Sequence, residues 1–414
     1  MVNFYFIKRH ACLLICFMGC LIFSFLFTKI TLSKDIRGVT DKEIKIGLIA
    51  DMTGPIASVT AILGQASRNY GQYMNNQGGI NGRKITTIVE DDHYSIPIGI
   101  AAFKKLVFRD GIFALMGPYH TASIKALYGQ MDKYKIPNLA FLPQPSVAYP
   151  VKTYMFTTGE FYDDDFGVIF YYILKMKKAK NTKFAFVTFD GESGKQVRKS
   201  VLNWAKHFNY KQSIHMGIIP LGAMEASSQV MTMKRKGVTH ILLHHSVSAG
   251  ALLLRELRKF GLKTPVFASL LSCSEDTVKL AGESSKSYIG SHAMSSWYDD
   301  TPGMKKLRKI TLKLQPGTEK PWRSKYYTAG WLTSLLLCEA IKRAGKNLTP
   351  ESCIKGLESL RNFDTGGISG PVTFSPTKHK GLSTVKLFKA DPSSGKLVPI
   401  TDWTNPPKKK AKRK

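Results

Sequence analysis

The chain has none of the short signatures that announce common chemistries. No C-x-x-C pair and no H-E-x-x-H run is present, which removes the usual zinc ribbons and zinc hydrolases. No G-x-S-x-G elbow and no G-x-G-x-x-G turn occurs, which removes the common hydrolase nucleophile and the dinucleotide fingerprint. GESGK at 191–195 resembles the end of a phosphate loop. Phe189 stands where that loop needs its first glycine, and Gln196 where it needs a hydroxyl for magnesium. His244-His245 has no partner at metal-ligand spacing and reads as a loop lining or a satisfied core edge. The sequence reads as a non-enzyme without cofactor or metal.

Acidic residues are also scarce: 29 Asp and Glu stand against 60 Lys and Arg, a net charge of +31. Six of the basic residues crowd into the tail Lys408-Lys409-Lys410-Ala411-Lys412-Arg413-Lys414, and the remainder scatter over the chain. A nucleic-acid surface needs basic and aromatic side chains clustered on one face, so no nucleic-acid partner is expected. Six cysteines are present, and Cys273, Cys338 and Cys353 stand outside the N-terminal run, where they could form one disulfide at most.

That run, Ala11 to Phe27, follows Lys8 and Arg9. A basic start before an apolar stretch reads as an export signal, with Thr31 and Ser33 offering a small-x-small cleavage site. Its length also suits an uncleaved membrane anchor, and Gly19-Cys20 faintly suggests a lipid-attachment site. Export places the protein in the periplasm or at the outer face of the cytoplasmic membrane.

From Glu43 onward, short apolar runs alternate with longer amphipathic ones. IKIGLIA (44–50), KITTIVEDD (84–92), IFALMGP (112–118) and IPNLAFLP (136–143) read as strands, with helices between them ending at 78, 111 and 135. A second set follows: KFAFVTF (183–189), SIHMGIIPL (213–221), THILLHHS (239–246) and PVFASLL (265–271), again with helices between. This alternation predicts an α/β fold with parallel sheets built from βαβ units. Ligands of such sheets sit beyond the carboxyl ends of the strands.

IKIGLIADMTGP resembles the opening of the leucine/isoleucine/valine-binding family of periplasmic receptors. NNQGGINGRKITTIVEDD (75–92), IFALMGPYHTASIKAL (112–127), RELRKFGLKTPVFAS (255–269) and WLTSLLLCEAIKRAG (331–345) continue the resemblance in family order. It implies a type I periplasmic binding protein fold: two Rossmann-like lobes joined by a three-crossing hinge. Lobe 1 would be 43–160 plus 294–381, and lobe 2 161–293 plus 382–403. It also implies a monomer that captures a small solute between its lobes and delivers it to an ABC-type permease. A tethered ligand-sensing receptor of the same fold is the alternative.

By the same resemblance, the loop after Pro118 would present His120 and Thr121 to a solute carboxylate, through a hydroxyl and a helix-start amide; Thr121 could equally be a plain N-cap. The next loop departs from the family's small hydroxyl residues and carries Gln144. Family aromatic positions fall at Ser193 and near Ser246, and the acid that neutralises a solute ammonium falls near Leu271. Tyr162 and Asp163 are assigned to the cleft as well. With leucine in the acid's place, an amino-free carboxylate is the expected solute, unless Asp163, Asp164 or Glu192 substitutes. His120, His244 or His245 near the cleft would suit such an acid.

Overall fold

Among the described residues, twelve strands fall into two sheets, and the order of strands shows how the chain divides between them. The structure is a computed structural model that describes residues 35–315 and 324–408. The expected signal or anchor, with Cys12, Cys16 and Cys20, and the tail beyond Lys408 lie outside the described residues. From Arg37 onward the chain forms one compact body.

The first sheet contains β1 (Glu43–Ala50), β2 (Lys84–Asp91), β3 (Ala114–Met116), β4 (Asn138–Ala140) and β5 (Met155–Thr157), in the order β2-β1-β3-β4-β5 and all parallel. Its helices are α1 (Ala57–Asn76), α2 (Ile96–Lys104), α3 (Thr121–Tyr134) and the single turn α4 (Pro145–Ala148). Burial on both faces explains why β1 is apolar from Ile46 to its end: Leu48, Ile49 and Ala50 are fully buried.

The second sheet contains β6 (Phe184–Thr188), β7 (His215–Ile218), β8 (His240–His244), β9 (Val266–Ala268), β10 (Tyr288–His292), β11 (Lys386–Asp391) and β12 (Lys396–Pro399). Helices α5 (Tyr162–Tyr171), α6 (Glu192–His207), α7 (Ser227–Arg235), α8 (Val247–Lys259) and α9 (Glu275–Ala281) accompany it. The order is β12-β11-β10-β9-β8-β6-β7. The parallel expectation fails at one edge, where β10–β11 and β11–β12 are antiparallel. A short turn joins β11 to β12, and only antiparallel neighbours can be joined that way. Helices α10 (Pro302–Leu314), α11 (Lys325–Ala344) and α12 (Pro350–Glu358) return to the first sheet, where α11 lies along α1.

Three passages link the sheets: after β5, after β10, and before β11. The first and third run side by side, with Thr157 N–H donating to His379 O and Leu382 N–H to Thr158 O. The second is tied to the first by Glu160, whose Oε1 accepts from Ala293 N–H at 2.8 Å.

α11 is buried almost all round and approaches α1 at Gly330, where an added Cβ would lie 2.4 Å from Leu63 O. Alanine suits a helix, but here it must push one backbone off another. Gly330→Ala is expected to lower stability by about 1–3 kcal/mol, read from the urea midpoint. An unchanged midpoint would mean the two helices have slack.

Candidate functional site

Loops at the strand ends of both sheets meet through the hydrogen bond between Gln144 and Ser193, with aromatic rings beside them. In the first lobe, the acids that close β1 and β2 are bound to their own loops. Asp51 accepts from the N–H groups of Gly54 and Ile56, Asp91 from Met52 N–H and the Thr53 hydroxyl, and Asp92 from Tyr94 N–H. These contacts turn the chain sharply and bring the Tyr94 ring onto His120, with centroids 4.0 Å apart. His120 is the N-cap of α3 and shares a hydrogen bond with Ser123 Oγ at 3.0 Å. Thr121 is therefore not the cap but the first helical residue, and it is half-buried. Gln144, in the loop after β4, is 5% exposed.

In the second lobe, Ser193 lies in the first turn of α6 and its Oγ is 3.1 Å from His244 Nε2. The other His244 nitrogen is 3.0 Å from Ser269 Oγ. Tyr162 packs edge-on against the His244 ring at 4.4 Å, and Phe189 lies parallel to it on α6's approach. Gln144 Nε2 donates to Ser193 Oγ at 3.0 Å, so the two lobes are hydrogen-bonded across the cleft. Among the sequence-assigned residues, Gln144, Ser193 and Tyr162 thus lie in connected contacts through His244, while His120 contacts Tyr94 and Ser123. Ser246 caps α8, its Oγ accepting from Ala249 N–H, and is half-buried. Leu271 is half-buried, and its carbonyl accepts from the Tyr326 hydroxyl of α11.

The structure gives the acids and histidines named from the sequence specific partners. Asp163 turns to α6, where Ser200 donates to its carboxylate. Asp164 is held by Lys380 and by Phe161 N–H, while Glu192 is exposed and accepts from Gln196. All three are thus engaged by other groups of the chain. Burial shifts the histidines toward the neutral form. Burial, helped by His245, pushes His244 down to about 3. Burial likewise lowers His120 and His245, the latter against its hydrogen bond to Ile219 O. A ring with no counter-charge in low dielectric stays neutral.

The depressed His244 has a pH consequence of definite sign. Its unfolded form takes up a proton below about pH 6.5, whereas the folded form does not until about pH 3. This group therefore contributes nothing against folding above that range and a growing penalty as pH falls through it. The stability gap between the wild type and His244→Asn is expected to narrow by about 2 kcal/mol between pH 7 and pH 5. A pH-independent gap, from parallel denaturant titrations, would contradict it.

Several residues of the hinge gave no sequence signal. Glu160 and His292 are fully buried and meet at 3.1 Å. Burial opposes ionisation of Glu160, but His292 and the Ala293 N–H outweigh it and hold the carboxyl below its usual range. Asp165 is bound by Leu270 N–H and Ser291 Oγ, and burial raises its carboxyl well above the usual range. Lys325, also buried, donates to Met294 O at 2.9 Å and lies 3.3 Å above the Phe388 ring. Each partner is remote in sequence, so no spacing betrays the set. Cys273, Cys338 and Cys353 are buried free thiols. Among the described residues, no cluster of His, Cys, Asp and Glu is placed to hold a metal, and no helix is long and apolar enough to cross a membrane.

One parallel and one mostly parallel sheet, three passages between them and strand-end loops that meet define the geometry, and the sequence relationships agree with it. The model of the family described as "Periplasmic binding protein" matches residues 43–396. The chain belongs to that family. Among curated periplasmic binding proteins, Leu/Ile/Val-binding protein homolog 3 of Brucella melitensis is 23% identical over 365 residues, covering 86% of this chain and 93% of that one. A branched-chain amino acid ABC transporter structure from Thermus thermophilus with bound valine superposes with a TM-score of 0.79 at 20% identity, covering 89% and 97%. A fatty acid ABC transporter substrate-binding protein from Thermomonospora curvata gives 0.76 at 24% identity, covering 90% and 95%. The type I periplasmic binding protein fold, with its two lobes, is thereby shown. The protein is a solute-binding protein of the periplasmic binding type.

Proposed function

We propose that the solute is an amino-free carboxylate with an apolar body, held between the lobes and handed to an ABC permease after export. The observation that carries this is the state of the acids. Asp51, Asp91, Asp92, Asp164, Asp165 and Glu160 are each engaged by backbone N–H groups, hydroxyls or bases of the chain, and the resemblance places the family's acid near Leu271. A buried ammonium would have to share a carboxylate that the chain already holds.

A carboxylate is better served. The N-terminus of α3, fourteen residues long, turns its unpaired N–H groups toward the loop of His120. Tyr94, Tyr162 and Phe189 supply surface for an apolar body. The Thermus neighbour holds valine and the Thermomonospora neighbour is named for fatty acids, so both kinds of carboxylate have precedent on this fold. The lobe boundaries follow the three passages: 43–160 with 294–381, and 161–293 with 382–403. We take the protein to act as an exported monomer. Solute binding to both lobes favours the closed arrangement by its differential affinity, without any covalent step.

Isothermal titration with branched and straight-chain carboxylates tests the reading. Saturation at one solute per chain is expected. Heats from ordinary α-amino acids, with none from any carboxylate, would overturn it.

A further inference from the structure

The hydrogen bond from Gln144 to Ser193 is the end of a longer chain of bonds. Gln144 Nε2 donates to Ser193 Oγ at 3.0 Å; Ser193 Oγ lies 3.1 Å from His244 Nε2; His244 Nδ1 lies 3.0 Å from Ser269 Oγ. With the Gln144 amide donating, the Ser193 hydroxyl donates to His244, and the imidazole donates to Ser269. The reverse polarity needs only the amide turned over and each proton moved along, and it too is neutral. Gln144 is supplied by the loop after β4, and the other three by the ends of β8 and β9 and the start of α6. His244 and Ser269 are fully buried, and Tyr162 and Phe189 hold the His244 ring on two sides. The relay thus has a rigid root in lobe 2 and one movable contact, in lobe 1.

We propose that Gln144 and Ser193 form a latch across the cleft that selects solutes by length, with His244 as the residue that positions it. The latch is made between protein groups, so it favours closure whatever solute sits beside it. A short solute leaves it intact and gains from it, because apparent affinity rises with the population of the closed form. A solute whose body reaches between Gln144 and Ser193 breaks it and must supply that stabilisation itself. A charged group gains nothing there, since the relay is neutral in either sense. The inference rests on the proposed carboxylate reading only for the choice of probes.

Two measurements on the full chain test it. In a series from butanoate to decanoate, Gln144→Ala and Ser193→Ala are each expected to weaken butanoate about fivefold, the worth of one net hydrogen bond, and to leave decanoate unchanged. The double variant is expected to be no worse than either single one, because both remove the same contact. Ser193→Thr, which keeps the hydroxyl, is expected to restore butanoate binding, and His244→Phe to reproduce Ser193→Ala. Small-angle scattering of the solute-free chain is expected to show a larger radius of gyration in both alanine variants. Equal loss at every chain length, additive loss in the double variant, or an unchanged radius would overturn the latch. If no carboxylate binds at all, the functional reading fails, and the scattering result alone decides the latch.

Discussion

Alanine in place of Lys380 is expected to destabilise the protein by about 3–5 kcal/mol, the usual consequence of removing one partner from a buried ion pair. Lys380 is 6% exposed, its ammonium donates to Asp164 and it lies 4.3 Å from the centre of the Phe161 ring. Truncation leaves the Asp164 carboxylate buried with only Phe161 N–H for company. Burial already raises that carboxyl against the pull of Lys380, so losing the lysine drives it toward the protonated form. The pair also joins the third passage to α5, immediately beyond the first, so the loss falls on the hinge. Urea unfolding provides the readout. Combining Lys380→Met with Asp164→Asn, which removes both charges, is expected to recover most of the loss; equal losses in the single and double variants would show that packing, not charge, is responsible.

Deleting the amino group from a solute is expected to strengthen binding by about two to four decades, the equivalent of about 3–5 kcal/mol for an ammonium buried without a partner. Valine against 3-methylbutanoate and leucine against 4-methylpentanoate are the matched pairs, since each differs only at that group. The sign follows from the contacts. Asp163 is bound to Ser200, Asp164 to Lys380, Asp165 to Leu270 and Ser291, and Glu160 to Ala293 and His292, and the position expected to carry the acid is leucine. Equal affinity within each pair, or preference for the amino acid, would mean that one of these acids also serves the solute's ammonium and would overturn the reading.

The parts of the molecule legible in the sequence are those whose order is local. β1, α1 and β2 follow from an apolar run, an amphipathic stretch ending at Gly78-Gly79 and a strand ending in acids, and the structure sets them within a few residues of the expected bounds. The hinge was not legible. β10 ends in Ser291 and His292, polar residues with no apolar pattern to mark them, yet both are fully buried. Their partners, Asp165 and Glu160, sit more than a hundred positions away, and only the fold brings them together. α5 was missed for the opposite reason. Its Phe166, Val168, Ile169 and Phe170 are buried on successive sides, so no amphipathic period marks it. At the site, the resemblance assigns loops, and the side-chain directions come only from the structure. The acidic run 163–165 reads as one patch; its three carboxylates go to α6, to the third passage and to the strand ends of lobe 2.

Hydrogen exchange of the full chain, with and without a saturating carboxylate found by titration, tests capture between the lobes most directly. Protection is expected to appear together in the loops 117–121 and 141–144 of one lobe and 191–193 and 245–247 of the other, with the solute recovered unaltered. Protection confined to a single lobe, or a chemically changed solute, would contradict capture in the cleft.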